Sequence, residues 1–340
     1  MGKLNFAILG SGRISHKHVE ALINNYDEAV LVAVCDLIES NAVARKNQYE
    51  TAIENSVVEV FTDYYEMFKS CEIDVVSIAT ESGYHAIHAI DSLRAGCHVL
   101  IEKPMALSVE DANRIITEAK RLNKKICISH QNRFNPPIQK LRRAIEEGRF
   151  GRIINGTARI LWTRDDNYYK QAPWRGTKAL DGGTLMNQCI HNIDLLQWMM
   201  CSDVERVTAE RGTFLRNIEM EDFGALLLRF KSGSIGIVEG SACVYPKNLE
   251  ETLSIFGEKG TVVIGGLAVN EIKVWQFEDS RDYDNQIASE EVDSVYGKGH
   301  TPLYHDFIMA IKENREPLIN GEEGMKAMKI ILDAYEVSSL

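Results

Sequence analysis

The sequence predicts an α/β protein in two parts: a parallel sheet with crossover helices, followed by a mostly antiparallel sheet with helices on one face. Three observations predict it. Over residues 1–125, short apolar runs alternate with helix-prone stretches, the signature of repeated βαβ units with right-handed crossovers. From about residue 150 onward, half-apolar strand-like segments follow one another with turn residues between them. A glycine turn, Gly10-Ser11-Gly12, stands between the first strand-like run and the first helix-like one.

Leu4-Asn-Phe-Ala-Ile-Leu9 is a short apolar run closed by glycine and reads as a buried parallel strand. Residues 14–25 place Val19, Leu22 and Ile23 on one helical face. Val30 to Cys35 is a second strand, ending in Asp36, and residues 38–54 are helix-prone. Glu59-Val-Phe61 is a third strand, and Asp63 suits the N-cap of a short helix because its carboxylate accepts a free N–H of the first turn. Asp74 to Ala79 is a fourth strand, residues 84–95 a helix and His98 to Ile101 a fifth strand. Ser108-Val-Glu-Asp111 is a capping box opening another helix, and Lys125 to Ser129 is a sixth strand.

In the second part a helix is expected near 136–147, then strands at 152–164, 204–214, 223–231, 234–243, 250–257, 261–264 and 271–277. Lys231-Ser-Gly-Ser234 is a turn between two of them, and one long helix spans about 184–200. Residues 278–300 are charged and irregular, a surface loop, and helices at about 303–314 and 322–338 close the chain. The expected division is a first domain over 1–125 and a second over 126–340.

Composition excludes some functions. The 340 residues carry a formal net charge of -11, which argues against nucleic acid or an anionic membrane face, since both need a basic footprint. The seven cysteines are odd in number and scattered, with no C-x-x-C pair, so neither a disulfide framework nor a zinc knuckle is expected, and no metal. No apolar run reaches the roughly 18 residues of a membrane span, and neither a signal peptide nor a myristoylation signal is read at the start. A cytoplasmic protein with free thiols is expected.

Gly10-Ser11-Gly12-Arg13-Ile14-Ser15 carries the chemistry of the first part. The two glycines permit a tight turn and a close approach of backbone to a pyrophosphate, which then sits at the positive end of the following helix. Ser15 stands where a third glycine or alanine is usual and is small enough for the same packing. Asp36, at the end of the second strand, would accept hydrogen bonds from the adenosine ribose and repel a 2′-phosphate. Leu37 and Ile38 follow, with no Arg or Lys to hold that phosphate, so NAD is expected rather than NADP. The other reading of Asp36 is a helix N-cap.

Further motifs resemble one family. They are Ala79-Thr80-Glu-Ser82-Gly-Tyr-His85; Ala95-Gly-Cys-His-Val-Leu-Ile-Glu102-Lys103-Pro104; Gln131-Asn-Arg133-Phe-Asn-Pro; Pro173-Trp174-Arg175-Gly; Asp181-Gly-Gly-Thr-Leu-Met-Asn187-Gln-Cys-Ile-His191; and Pro317-Leu-Ile-Asn-Gly-Glu-Glu-Gly. Together and in this order they are similar to the Gfo/Idh/MocA oxidoreductases over nearly the whole chain. The resemblance implies a Rossmann domain followed by an α/β domain whose large, open, mostly antiparallel sheet pairs with its mate in homodimers or homotetramers. It implies that Lys103 reaches the nicotinamide, that Glu102 and Pro104 shape its turn, and that His191 projects toward the same place. It adds Thr80, Ser82, His85, Gln131, Trp174 and Arg175 as cofactor contacts and Arg133 as a substrate contact. The other reading of His85 is a cap on the helix it starts, and that of Trp174 and Arg175 is plain packing. The family often has Asp four residues before the histidine. Here that residue is Asn187, which can bind a hydroxyl but cannot take its proton.

Oxidising a secondary alcohol needs a hydride acceptor and a base for the hydroxyl proton. His191 suits the second task directly, with an ordinary pKa of about 6.5. Lys103 suits it when uncharged, and otherwise stabilises the developing alkoxide. Asn187 and His191 are four apart and are expected on one helix face. The Asp181–Leu196 segment most resembles dehydrogenases of nucleotide-linked amino sugars, of the UDP-N-acetylglucosamine 3-dehydrogenase type. Arg164, Lys170, Arg175 and Lys178 would supply charge for a diphosphate. The alternatives are a free polyol or sugar dehydrogenase of the inositol 2-dehydrogenase type, or an NAD-sensing protein without activity.

Overall fold

The four residues of Val75–Ile78 are all buried, and the flanking parallel strands are nearly so. Strands of this kind belong at the centre of a sheet covered on both faces. In the computed structural model, which describes residues 2–286, 288–289 and 295–339, they form a six-stranded, all-parallel sheet. Its elements in chain order are β1 (Leu4–Leu9), α1 (Ser15–Asn24), β2 (Ala29–Cys35), α2 (Glu39–Ala52), β3 (Glu59–Phe61), α3 (Tyr64–Ser70), β4 (Val75–Ile78), α4 (His85–Arg94), β5 (His98–Ile101), α5 (Val109–Arg121) and β6 (Ile126–Ile128). The strand order is β3-β2-β1-β4-β5-β6, so the direction of winding reverses beside β1. Ligands bind such sheets at the carboxyl ends of the strands near that reversal. Asp63 caps α3 by accepting the Tyr65 N–H, and Ser108 caps α5 by accepting the Asp111 N–H.

The second sheet comprises β7 (Ile153–Leu161), β8 (Val204–Gly212), β9 (Phe223–Phe230), β10 (Ile235–Ser241), β11 (Glu250–Gly257), β12 (Gly260–Gly265) and β13 (Glu271–Phe277). Its order is β13-β12-β11-β7-β10-β9-β8, antiparallel throughout except for the parallel pair β7–β10. Helices α6 (Pro136–Glu146), α7 (Asp166–Lys170) and α8 (Ile190–Met199) accompany it. Residues on β9 and β10 alternate in burial, so one face is covered and the other carries Leu227 and Ile237 outward. On the covered face Gly240 stands against Cys189, and Gly236 and Gly156 against Leu196. A Cβ at Gly240 would lie 2.6 Å from the Cys189 sulfur, so these small positions let the 185–199 segment lie directly on the sheet.

That segment departs from the expected continuous helix over 184–200. Leu185–Cys189 is a π turn, and regular α-helix begins only at Ile190. Two left-handed glycines, Gly182 and Gly183, precede it, and the buried Glu221 carboxylate accepts the Leu185 N–H at 2.9 Å. A widened turn of this kind is a frequent mark of a functional site.

The compact units divide as Met1–His130 with His300–Met325, and Gln131–Gly299 with Lys326–Leu340. The division expected at 125/126 therefore differs for 126–130 and for 300–325, which belong with the first unit. The reason is tertiary: the Ile128 N–H bonds the Ile319 carbonyl, and Tyr304 of α9 (His300–Lys312) bonds Ser77 of β4. The boundary at Met325 falls inside α10 (Gly321–Val337). Part of the charged 278–300 segment, residues 287 and 290–294, lies outside the described residues.

Candidate active site

The glycine turn after β1 is held by three contacts. The Gly10 N–H bonds the Cys35 carbonyl at 2.9 Å, the Ser15 hydroxyl donates to the Gly12 carbonyl at 2.6 Å, and the Asp36 carboxylate accepts the Ser11 N–H at 2.7 Å. Gly10 has φ +92°, and a Cβ there would lie 2.6 Å from the backbone of Ala79 and Thr80. This is the close approach that demands glycine. Gly12 is the opposite case: a Cβ there would meet nothing within 4 Å. The open space lies at the start of α1, whose first turn has no acidic residue and no side-chain cap. The positive helix end suits a pyrophosphate. Asp36 does not cap α2, whose N-cap is Ile38; its second oxygen accepts the Ile38 N–H at 2.8 Å.

The Glu102-Lys103-Pro104 turn follows β5 and is braced on both sides. Glu102 is buried, and one carboxylate oxygen accepts the Lys103 N–H at 3.2 Å. The other faces the Nε2 atoms of His18 at 3.1 Å and His300 at 3.5 Å. Burial pushes the Glu102 carboxyl up, but the two imidazoles outweigh it and hold it well below the ordinary value. On the Pro104 side stands His85, its Nδ1 2.7 Å from the Pro104 carbonyl and its Nε2 3.0 Å from that of Thr80. Tyr84, not His85, is the N-cap of α4. The Thr80 hydroxyl lies 3.0 Å from His88 Nδ1, and the buried Ser82 opens a 3-10 turn before α4. Lys103 itself is half-buried.

In the second unit, Gln131 opens a buried 3-10 turn ending at Phe134. Arg133, expected as a substrate contact, is fully buried and paired with Asp194, its Nε 2.8 Å from one oxygen and its Nη2 2.7 Å from the other. Asn187 and Gln188 lie in the π turn and His191 in the first turn of α8, both Asn187 and His191 half-buried. The Asn187 amide donates to the Asp181 carboxylate and its carbonyl accepts from Gln188 at 2.8 Å. Gln188 in turn accepts from Arg164 at 2.8 Å and donates to the Tyr168 hydroxyl at 2.9 Å. The guanidiniums of Arg164 and Arg175 stand 5.1 and 4.2 Å from the centre of the Tyr168 ring, and Arg175 is 4.9 Å from that of Trp174. Lys170 and Lys178 are exposed nearby in the chain.

Beneath this segment two carboxyls are pushed up by burial: Glu221 to about 7, against hydrogen bonds from Leu185 and Tyr335, and Glu251 to about 8, against Asn192 and Arg164.

Residues 4–130 match the oxidoreductase family with an NAD-binding Rossmann fold, and residues 138–263 match the GFO/IDH/MocA C-terminal domain. The chain belongs to the Gfo/Idh/MocA oxidoreductases. Like other Gfo/Idh/MocA proteins it is an NAD-dependent dehydrogenase acting on CH–OH groups of a sugar or polyol. The WlbA dehydrogenase from Bordetella pertussis, solved in complex with NADH and UDP-GlcNAcA, is 38% identical with a TM-score of 0.91, over 99% of this chain and 95% of that one. Myo-inositol 2-dehydrogenase of Thermotoga maritima is 26% identical over 96% of this chain and 93% of its own length. The NAD(+)-dependent scyllo-inositol 2-dehydrogenase of Bacillus subtilis is 27% identical over 77% and 73%. The Gfo/Idh/MocA cofactor fits the first unit: the open space at Gly12, the uncapped start of α1 and Asp36 beside them are what NAD requires. Among the described residues no helix is long and apolar enough to cross a membrane.

His18, His88, His300, Tyr304 and Asp181 were not reached as site residues by sequence reasoning. Asp181 carried a signal, since it opens the motif ending at His191. His18, His300 and Tyr304 carried none, because their partners are distant in the chain: His18 and Tyr304 are 286 residues apart. His88 is only eight residues from Thr80, but no motif singled it out.

Proposed function

We propose that this dehydrogenase oxidises the C3 hydroxyl of a nucleotide-linked amino sugar to the 3-keto sugar. One observation carries the reading: Arg164 and Arg175 flank Tyr168, and Arg164 and Tyr168 are both hydrogen-bonded to Gln188, three residues before His191. A free polyol has no use for two guanidiniums, whereas a diphosphate needs them and a nucleobase stacks on such an aromatic surface. The likeness to the Bordetella enzyme supports it, at an identity well above that to the inositol dehydrogenases.

NAD, when bound, supplies the hydride acceptor. The chain's residues do the rest. Gly10, Ser11, Gly12, Arg13 and Ile14 bind its pyrophosphate and Asp36 its adenosine ribose, while Thr80 and the Trp174-Arg175 pair add cofactor contacts. Lys103 and His191 are the groups able to take the hydroxyl proton. Asn187 is not: both ends of its amide are held within the protein, by Asp181 and Gln188. Its part is to fix the π turn from which His191 extends.

The test uses the purified full chain with NAD and, separately, UDP-GlcNAcA, UDP-N-acetylglucosamine and myo-inositol, following absorbance of the reduced nicotinamide at enzyme concentrations high enough to see one turnover per site. Reduction with a nucleotide sugar and not with inositol is expected. Reduction with inositol alone would establish the polyol reading. Lys103→Ala should abolish turnover and leave NADH binding intact.

A further inference from the structure

Glu102 presents a physical problem that the local sequence does not explain. It is 5% exposed, and a carboxylate buried to that degree takes up a proton unless charges or donors surround it. Its donors come from far away in the chain. The Lys103 N–H reaches one oxygen, and the other faces two imidazoles from α1 and α9. Both imidazoles favour the charged form of the carboxylate, and His18 stands the closer of the two. Behind His18 the chain of contacts continues: its Nδ1 lies 2.7 Å from the Tyr304 hydroxyl, which lies 2.7 Å from the Ser77 hydroxyl. All of these side chains are buried.

The tautomer follows from the neighbours. A lone pair on His18 Nε2 would face the Glu102 carboxylate and be repelled, so Nε2 carries a hydrogen. Nδ1 then pairs with the Tyr304 hydroxyl, and that hydroxyl with the one of Ser77. The arrangement ties four separate elements, α1, β4, the end of β5 and α9, to the peptide that carries Lys103.

We propose that His18 is a positioning residue for catalysis: with His300 and Tyr304 it holds the Glu102 carboxylate, which holds the Lys103 backbone in place. The inference rests on Lys103 acting at the reacting hydroxyl. It also links two ends of the cofactor site, because His18 lies on the helix whose first turn faces the pyrophosphate. The same three residues, His18, Glu102 and His300, have donor atoms within 4.8 Å of one another and are of metal-ligand type. In the arrangement proposed here the Lys103 N–H and the imidazoles satisfy the carboxylate, and no ion is required.

Two substitutions isolate the contact. His18→Gln places an amide donor near the Nε2 position, toward Glu102. His18→Asn places it near Nδ1, toward Tyr304, and loses the carboxylate. Amide hydrogen exchange of the peptide containing Lys103 is measured on the full chain without substrate, together with kcat, KM for NAD and NADH binding. His18→Asn should speed exchange of that peptide, lower kcat at least about tenfold and leave KM for NAD within about threefold, as expected for a misplaced reacting group. His18→Gln should restore both. Equal exchange and equal kcat in the two variants and the parent would overturn the proposal. So would an Asn variant that no longer binds NADH, since the role would then be structural, or one equivalent of metal bound by the parent and lost in both variants. The exchange result needs no turnover, so faster exchange in His18→Asn alongside a parent that reduces NAD with none of the sugars would sink the substrate reading and leave the clamp standing.

Discussion

Arg133 and Asp194 meet through two parallel contacts, 2.8 and 2.7 Å, with both side chains buried. The pair joins the turn that opens the second unit to α8, the helix carrying His191. Removing the aspartate takes away the carboxylate that faces the buried guanidinium. Asp194→Ala should therefore destabilise the protein by about 3–5 kcal/mol, read as a lower urea midpoint. A loss of under about 1 kcal/mol would show that water reaches the guanidinium.

Gly10 and Gly12 differ in what surrounds them, so alanine should act differently at each. At Gly10 the new Cβ collides with backbone of Ala79 and Thr80, and φ +92° is itself strained. Gly10→Ala should lower Tm and weaken NADH. At Gly12 the Cβ enters open space. Gly12→Ala should leave Tm unchanged while NADH affinity falls about tenfold or more, equivalent to about 1.4 kcal/mol. Calorimetry and fluorescence titration separate the two, and unaltered affinity in Gly12→Ala would place the pyrophosphate elsewhere.

Asp36 orders the glycine turn through the Ser11 N–H as well as offering a carboxylate to the ribose. Asp36→Ala removes both, and also the charge that repels a 2′-phosphate. NADH binding should weaken about tenfold, with NADPH affected less, so that the preference narrows. Parallel titrations with the two cofactors measure this. An unchanged ratio would deny Asp36 the discriminating role.

Glu251 keeps its proton to about pH 8 in the fold, because burial disfavours the charged form, while the unfolded chain releases it near 4.5. The raised pKa contributes stability that is fully present below the unfolded value and is lost as pH rises through the folded one. The parent should lose on the order of a few kcal/mol between pH 5 and 8 from this group. Glu251→Gln removes the titration and should flatten that slope in urea unfolding at the two pH values. Equal slopes in parent and variant would show that Glu251 ionises normally.

Much of this was written locally. The βαβ alternation, the seven later strands, the glycine turn and the caps at Asp63 and Ser108 depend on neighbours a few residues apart, which periodicity and capping chemistry expose. Less of the site was. Arg133 read as a substrate contact within a family motif, yet it is buried against a partner 61 residues away. His85 read as a cofactor contact or a cap, yet both ring nitrogens face carbonyls of the turns it braces. Residues 184–200 read as one continuous helix, yet Leu185–Cys189 is a π turn, preceded by Gly182 and Gly183 and held by the buried Glu221.

The sequence alone determined the order of the elements, the place of the phosphate-facing turn and the choice of NAD, because each follows from contacts within one βαβ unit. The tertiary structure alone decided the surroundings of Glu102 and Asn187 and the membership of residues 300–325 in the first unit. Those depend on side chains that only folding brings together, and on the burial that makes their pairing obligatory.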